Sequence, residues 1–144
     1  MIVRAWQEKD IEIIAEMEKR CFTDPWTKEM LSDVLKYPLY GSFLVEDGGQ
    51  VCGYACLIGI PNVEATVANI AVDAPFRGKG YAKVLMDAMH TRAKEIGAEE
   101  CFLEVRMSNY GAIALYEKCG YARYGVRPRY YGNEDALLMR RKLI

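Results

Sequence analysis

The stretch from Asn69 to Lys83, NIAVDAPFRGKGYAK, decides how the chain is organised. An apolar segment, NIAV, leaves through a proline-bearing turn, and RGKG then stands where a helix begins. The glycines leave backbone N–H groups uncovered at the positive end of the helix dipole, and Arg77, Lys79 and Lys83 add charge of the same sign. The stretch therefore predicts a strand, a tight turn and a helix whose N-terminus binds an anion.

The helix after this turn has one apolar face, which indicates that it packs against a sheet. Gly97 follows the last apolar position and is expected to end the helix. The apolar positions are Ala82, Leu85, Met86, Met89, Ala93 and Ile96.

Upstream, the segment IVRAW predicts a short strand, and Asp10 is placed to cap a helix with apolar residues at helical spacing. Thr27 begins a second helix that runs toward Lys36. Two hydrophobic segments, YGSFLVED and QVCGYACLIGI, flank a Gly-Gly pair and predict a hairpin. A third strand is expected from about Glu64 to Val72.

Downstream, CFLEV predicts a strand, SNYGAIALYEKCG a short helix closed by Gly120, and YARYGVR and EDALLMRRKL two further strands. The predicted order is β-α-α-β-β-β-α-β-α-β-β, without repeats or long linkers. This order indicates a mixed α+β domain rather than an all-β fold or a helical bundle.

The 144 residues suit one domain, 1–144, with a sizeable core. The chain has 19 basic and 20 acidic residues, so no overall field would draw it onto nucleic acid or a membrane. It shows no secretory signal and no apolar run of membrane-spanning length, and we expect it in the cytoplasm. Five cysteines without a CxxC pair suggest reduced core residues, and the single histidine, His90, leaves too few ligands for a catalytic metal.

A GxG pair at the start of a helix is weak evidence for a site, since it also suits a plain tight turn. A dinucleotide fingerprint would need a third glycine where Lys83 stands, and a Walker loop would need a longer spacing. The sequence thus leaves a different phosphate cradle or a structural turn.

The loop resembles that of the GNAT acetyltransferase superfamily, whose pattern (Gln/Arg)-x-x-Gly-x-(Gly/Ala) is met by Arg77, Gly80 and Ala82. The segments FTDPWT, EATVANIAV, LEVRMSNYGAIALYEKCGY, RYY and EDALLM also follow the order of the RimI branch, which acetylates the N-terminal alanine of a ribosomal protein. This resemblance spans nearly the whole chain. It implies a mixed, mostly antiparallel sheet of about seven strands with a V-shaped splay between strands 4 and 5, flanked by about four helices.

The resemblance also implies acetyl-CoA as co-substrate and no metal. Its thioester arm would lie along the backbone of the NIAV strand, and its diphosphate on the glycine loop. A strand that splays from its neighbour leaves unpaired N–H and C=O groups, which suit an amide-rich arm. The implied cofactor residues are Ile70, Ala71, Val72, Arg77, Gly78, Lys79, Gly80, Tyr81, Ala82, Lys83 and Asn109.

Alternation along CFLEV places Phe102 and Glu104 on the face opposite Cys101, Leu103 and Val105. A carboxylate inside an apolar strand is costly unless it forms a salt bridge, for instance with Arg106 or another strand, or reaches a cleft.

In RimI-like enzymes the matching Glu is the general base and the Tyr of ALYE the general acid, which implies these roles for Glu104 and Tyr116. Proton transfer from a terminal ammonium to an ordinary carboxylate is uphill by roughly 5 kcal/mol. Glu104 would therefore need a raised pKa, a bridging water, or an amine that is already neutral. For Tyr116 the structural alternative is packing in the core.

Two further side chains are candidates for a catalytic role. Glu64 begins the strand that leads to NIAV, where some superfamily members place a base, and it ranks below Glu104. Cys119 could serve as a nucleophile, but the one histidine lies in another helix and core packing is the better interpretation.

The segment RYGVRPRYYG, residues 123–132, interleaves basic and aromatic side chains, which is also typical of an RNA-binding module. The balanced net charge weakens that alternative. In RimI-like proteins this region covers the acceptor channel, which implies that Tyr130 and Tyr131 line a slot for a peptide N-terminus. Trp26, in the DPW loop between the first two helices, is the candidate for the opposite wall, and the alternative is a half-buried aromatic where the second helix begins. The expected partner is a ribosomal protein N-terminus, with lysine side chains or small amines as the alternative acceptors and no direct contact with membrane or nucleic acid.

Overall fold

The computed structural model describes all 144 residues. Two short 3-10 turns, Glu8–Asp10 and Ala74–Phe76, precede α1 and α3. The helices and strands, whose predicted order is confirmed, are β1 (Ile2–Arg4), α1 (Ile11–Cys21), α2 (Lys28–Lys36), β2 (Tyr40–Asp47), β3 (Gln50–Ile60), β4 (Glu64–Val72), α3 (Tyr81–Glu95), β5 (Glu100–Arg106), α4 (Tyr110–Lys118), β6 (Ala122–Arg127) and β7 (Ala136–Lys142).

The seven strands form one mixed sheet in the order β1-β2-β3-β4-β5-β7-β6. Every neighbouring pair is antiparallel except β4 and β5. Those two strands are paired only at Glu64–Thr66 with Glu100–Phe102, and the rest of each strand has no partner on that side. The predicted V-shaped splay is thereby confirmed, and we call the opening beside residues 67–72 the β4–β5 gap.

Helices cover both faces of the sheet, because alternate residues of the central strands are apolar on both sides. α3 and α4 pack on one face, where Leu85, Met86 and Met89 of α3 are fully buried. α1 and α2 pack on the other face, around Ile14 and Leu31. None of the helices is both long and apolar enough to cross a lipid bilayer.

The two predicted helix starts have different outcomes. The Thr27 side chain accepts a hydrogen bond from the Met30 N–H and caps α2, as predicted. Asp10 occupies the predicted N-cap position of α1, but its side chain forms no cap hydrogen bond to that helix, so this part of the prediction is wrong. Its carboxylate instead accepts from the Gln7 N–H at 2.7 Å and from the Arg4 guanidinium. The 3-10 turn before α1 therefore uses the aspartate.

His90 of α3 is buried, and both of its ring nitrogens are engaged. Nε2 lies 2.7 Å from the Tyr121 hydroxyl, and Nδ1 lies 2.9 Å from Nη1 of Arg141. Burial, followed by the charge of Arg141, lowers the pKa of His90 to about 4. The imidazole is therefore neutral in the folded protein.

We expect this histidine to make stability depend on pH. In the unfolded chain it gains a proton near its ordinary pKa of about 6.5. The unfolded state then binds more protons, so stability is lost as pH falls from about 6.5 toward about 4. Urea unfolding between pH 5 and pH 7 measures this slope, and His90→Gln should flatten it. An unchanged slope in the variant would contradict the assignment.

Candidate active site

The β4–β5 gap exposes specific backbone groups of β4. The Asp73 N–H donates to the Cys52 carbonyl at 3.0 Å, and Val72 stands opposite Gly53. In an antiparallel pair this pattern turns the N–H and C=O groups of Val72 and Ile70 away from β3 and toward the gap. The backbone of Ala71, opposite Tyr54, points toward β3 instead. Of Ile70, Ala71 and Val72, which were expected to offer backbone contacts to the cofactor, only Ile70 and Val72 direct their backbone groups into the gap.

The glycine loop at the N-terminus of α3 forms an open cradle. Gly78 has φ 77° and Gly80 has φ 86°, and nothing lies within 4 Å of where a Cβ would stand on either residue. The first N–H groups of α3 have no partners inside the helix, and open space in front of them suits phosphate oxygens. The loop therefore has the shape of an anion site.

The cations of this loop are less available than the sequence suggested. The Arg77 guanidinium turns back, donating through Nε to the Val72 carbonyl at 2.9 Å and contacting Cys21 Sγ at 3.6 Å. Lys83 forms an exposed pair with Asp87 at 2.8 Å. Arg77 thus fastens the loop to β4, and the backbone contributes more to the anion site than these side chains do.

The remaining residues near this loop have mixed surroundings. Tyr81 is buried and donates its hydroxyl to Asp47 at 2.6 Å, an arrangement that anchors α3 to the end of β2. Lys79 Nζ lies 5.9 Å from the ring centre of Phe76, and Ala82 is half-buried. Asn109 Oδ1 caps α4 by accepting from the Ala112 N–H at 3.2 Å. The cap fixes the direction of the Asn109 amide at the start of α4.

Glu104 lies on β5 beyond the last residue paired with β4, and its side chain is about one quarter exposed. The structure pairs its carboxylate with Arg127 of β6, at 3.0 Å. The sequence left open a salt bridge from Glu104 to Arg106 or to another strand, and the structure shows the second of these. Because the site remains partly open to solvent, the pair leaves the carboxylate accessible.

Tyr130 and Tyr131 stand beside this carboxylate in the β6–β7 loop, residues 128–135. Their rings meet edge to face with centres 5.0 Å apart. The charge of Glu104 raises the pKa of Tyr130. Burial, together with the same charge, raises the pKa of Tyr131. The structure therefore brings the two tyrosines and Glu104 together.

Tyr116 of α4 is buried in the core between the sheet and the helices α3 and α4. Its ring packs edge-on against Tyr121, with ring centres 6.1 Å apart. Burial raises the pKa of Tyr116 to about 12. Tyr116 thus packs in the core, which was the structural alternative to a catalytic role, and its hydroxyl stays protonated at neutral pH.

Trp26 lies in the α1–α2 loop, residues 22–27, and its half-buried side chain packs against the core under α1 and α2. Its backbone N–H donates to the carboxylate of Glu18 at 2.8 Å. Glu18 is fully buried and also accepts from the Tyr54 hydroxyl at 2.7 Å and from the Asn69 side-chain amide. One buried carboxylate therefore joins this loop to β3 and β4.

Sequence reasoning missed Glu18 as a functional neighbour and named Arg106 only as a possible partner of Glu104. Glu18 stands four residues after Ile14 and seven after Ile11, which is the apolar face of α1. A charge on that face was the available signal. Arg106 contacts the α1–α2 and β6–β7 loops, which no local pattern reveals.

The two lesser catalytic candidates lie apart from Glu104. Glu64 sits at the closed end of the V, where β4 and β5 are still paired. Cys119 is buried, and burial raises the pKa of its thiol, so it packs as a protonated core residue. Neither position adds a second reactive group to the gap.

A cavity of about 340 Å³ lies between α4 and the strands β6 and β7. Tyr110, which sequence reasoning flagged as bulky beside Asn109, lines this cavity and is 78% exposed. The cavity contains none of the predicted catalytic residues, so we place the candidate site at the β4–β5 gap instead.

Comparison with known proteins agrees with this architecture. The profile of the Acetyltransferase (GNAT) family matches residues 11–121. A Bacillus subtilis (strain 168) relative, provisionally named a ribosomal protein bS18-alanine N-acetyltransferase, is 36% identical over 140 residues, covering 95% of this chain and 92% of its own. The Escherichia coli (strain K12) protein of that name is 29% identical over 141 residues, covering 95% and 94%.

A crystal structure of the ribosomal-protein-S18-alanine N-acetyltransferase from Escherichia coli superposes with a TM-score of 0.90 at 27% identity. The superposition covers 99% of this chain and 93% of that one. The chain therefore belongs to the acetyltransferase (GNAT) family, in its RimI-like branch, and is an N-acetyltransferase that depends on acetyl-CoA.

Proposed function

We propose that this enzyme acetylates the N-terminal α-amine of a protein, with the N-terminal alanine of the eighteenth small-subunit ribosomal protein as the expected acceptor. The observation that carries the proposal is the position of Glu104 on the part of β5 that is no longer paired with β4, beside two tyrosines and next to the β4–β5 gap. The names of the Bacillus subtilis and Escherichia coli relatives support the choice of acceptor. We further propose that residues 1–144 act as one domain in the cytoplasm.

The residues at the gap fit acetyl-CoA. The inward-facing backbone groups of Ile70 and Val72 suit the amides of the pantetheine arm, although the Val72 carbonyl already accepts from Arg77. The open cradle at Gly78 and Gly80 suits the diphosphate. When bound, acetyl-CoA supplies the acetyl group as a thioester. Acetyl transfer then needs only a neutral amine held against the thioester, without a covalent acetyl-enzyme.

Glu104 is assigned to receive the proton of the acceptor ammonium, directly or through a water molecule. Its carboxylate would also favour entry of a cationic N-terminus, because opposite charges attract in a partly desolvated site. Arg127 competes for this carboxylate, but its side chain is about half exposed and able to move aside. Binding of the ammonium thus replaces one cation near Glu104 with another.

Tyr116 is assigned to donate a hydrogen bond to the leaving sulfur. Full proton transfer from a group with a pKa of about 12 to a thiolate of ordinary pKa near 8.5 is uphill by roughly 5 kcal/mol. A hydrogen bond donated to the developing charge avoids that cost. In this assignment Tyr116 stabilises the developing thiolate charge by a hydrogen bond and does not transfer its proton completely.

The acceptor is proposed to enter the space between Trp26 and Tyr131, which we call the acceptor slot. Both walls lie in loops that contact Arg106 at the end of β5, so an amine between them would approach Glu104. An extended peptide terminus fits between two aromatic walls more readily than a lysine on a folded surface.

Mass spectrometry tests the proposed function. The protein is incubated with acetyl-CoA and an alanine-starting ribosomal peptide that carries an internal lysine, beside the same peptide with a blocked N-terminus. Acetylation of the free terminus alone supports the proposal. Modification of lysine in both peptides would replace the acceptor class, and tight acetyl-CoA binding without reaction would direct the search to small amines or to an RNA-docking role.

Tyr131→Ala is expected to raise the KM for the peptide about tenfold, because one aromatic wall contact contributes roughly 1–2 kcal/mol. The affinity for acetyl-CoA should stay nearly unchanged. Steady-state kinetics and calorimetric titration measure the two effects. Tyr124→Ala is the matched control, since the Tyr124 ring lies 5.1 Å from the guanidinium of Arg140 just as the Tyr131 ring lies 4.3 Å from that of Arg106. Equal losses for peptide and acetyl-CoA would contradict the assignment.

A further inference from the structure

Arg106 is the last residue of β5 and lies on the same face as Glu104, two residues earlier. Its Nη2 donates to Thr23 Oγ1 at 3.2 Å and lies 3.8 Å from a carboxylate oxygen of Asp24. Thr23 and Asp24 belong to the α1–α2 loop and stand just before Trp26. The guanidinium therefore holds the loop that carries one wall of the acceptor slot.

The same guanidinium holds the other loop. Its Nη1 donates to Asn133 Oδ1 and to Glu134 Oε1, each at 3.3 Å, and its planar face lies 4.3 Å from the ring centre of Tyr131. Glu134 in turn accepts from the Ser108 N–H at 2.7 Å, just beyond β5. The β6–β7 loop is thus tied to the end of β5 at two points.

An arginine is required for this set of contacts. Its guanidinium is planar and offers several N–H donors in fixed directions, so it can bond two loops and stack on a ring at once. A lysine ammonium keeps the charge but cannot stack as a plane or fork toward both loops. The side chain is 28% exposed, so its bonds are only partly screened by water.

We propose that Arg106 is a positioning residue that sets the two walls of the acceptor slot relative to Glu104. The inference rests on the proposed function, because it assigns the slot to the acceptor. Arg106 touches the loops and not the reacting atoms. Its loss should loosen both loops together and weaken peptide binding while the cofactor half of the site stays intact.

Arg106→Lys tests the proposal, because it keeps the charge and the strand. We expect the peptide KM to rise about tenfold and kcat to change less than about threefold, with the acetyl-CoA affinity unchanged. Arg140→Lys is the control, since it alters an arginine stacked on a tyrosine away from the slot. An unchanged peptide KM in Arg106→Lys, with wild-type protein active on the peptide, would overturn the proposal.

Hydrogen exchange gives a readout that needs no turnover. In Arg106→Lys, residues 22–27 and 128–135 should both exchange faster, while α3 exchanges as in wild type. Unchanged exchange in either loop would overturn the proposal that Arg106 holds both loops. If both loops exchange faster but the wild-type protein does not acetylate the peptide, Arg106 holds the two loops as proposed and the proposed acceptor is wrong.

Discussion

Glu104→Gln is expected to lower kcat for an alanine-starting peptide at least about a hundredfold, the usual contribution of a positioned general base. Glutamine keeps the size of the side chain but cannot accept the ammonium proton. It also removes the charge that pairs with Arg127 at 3.0 Å and that faces Tyr130. The affinity for acetyl-CoA should change little, because Glu104 does not lie on the glycine loop.

The loss should depend on pH. A terminal amine has a pKa near 8, so below that value most acceptor molecules carry a proton that must be removed. We therefore expect the variant to fall furthest behind wild type below pH 8 and to recover part of its rate above it. Initial rates from pH 6.5 to pH 9.5 measure the two profiles.

Glu117→Gln provides the control for this experiment. Glu117 also pairs with an arginine, Arg123 at 3.5 Å, but lies on the exposed side of α4. Its variant should keep the wild-type rate and profile. If Glu104→Gln shows a profile of the same shape and a similar rate, Glu104 is not the base.

The sequence predicted the fold well because its signals are local. The Thr27 cap, the Gly-Gly hairpin and the alternation of CFLEV each depend on residues within one turn or strand, and each is confirmed. Asp10 shows where local reasoning fails. Arg4 and the Gln7 N–H both donate to its carboxylate, and the pairing with Arg4 exists only once β1 is placed beside the turn.

The candidate site was only partly predictable, for a related reason. The LEVR motif pointed to Glu104. Its partner Arg127 lies on β6, too far along the chain for a local pattern to predict the contact. Arg77 fitted the loop motif, yet its guanidinium is directed to the Val72 carbonyl, because β4 ends beside it. Residues that join loops distant in sequence carry no periodic signal, and Arg106 is the clearest case.

Removing the buried carboxylate of Glu18 is expected to lower the free energy of unfolding substantially. Glu18→Ala would leave three donors without their acceptor, namely the Tyr54 hydroxyl, the Asn69 side-chain amide and the Trp26 N–H. Each buried donor left unsatisfied costs about 1–3 kcal/mol, so we expect a loss of at least about 3 kcal/mol in the free energy of unfolding. Against a typical total of about 5–15 kcal/mol, that is a large fraction.

Urea unfolding of matched variants measures this loss. Glu16→Ala removes an exposed glutamate from the same helix and should change stability by less than about 0.5 kcal/mol. Glu18→Gln should fall between the two, because one amide oxygen can still accept from Tyr54 while its NH₂ group meets the Trp26 N–H. If Glu18→Ala is as stable as Glu16→Ala, the carboxylate does not hold the α1–α2 loop, and Trp26 needs another anchor to serve as a wall of the acceptor slot.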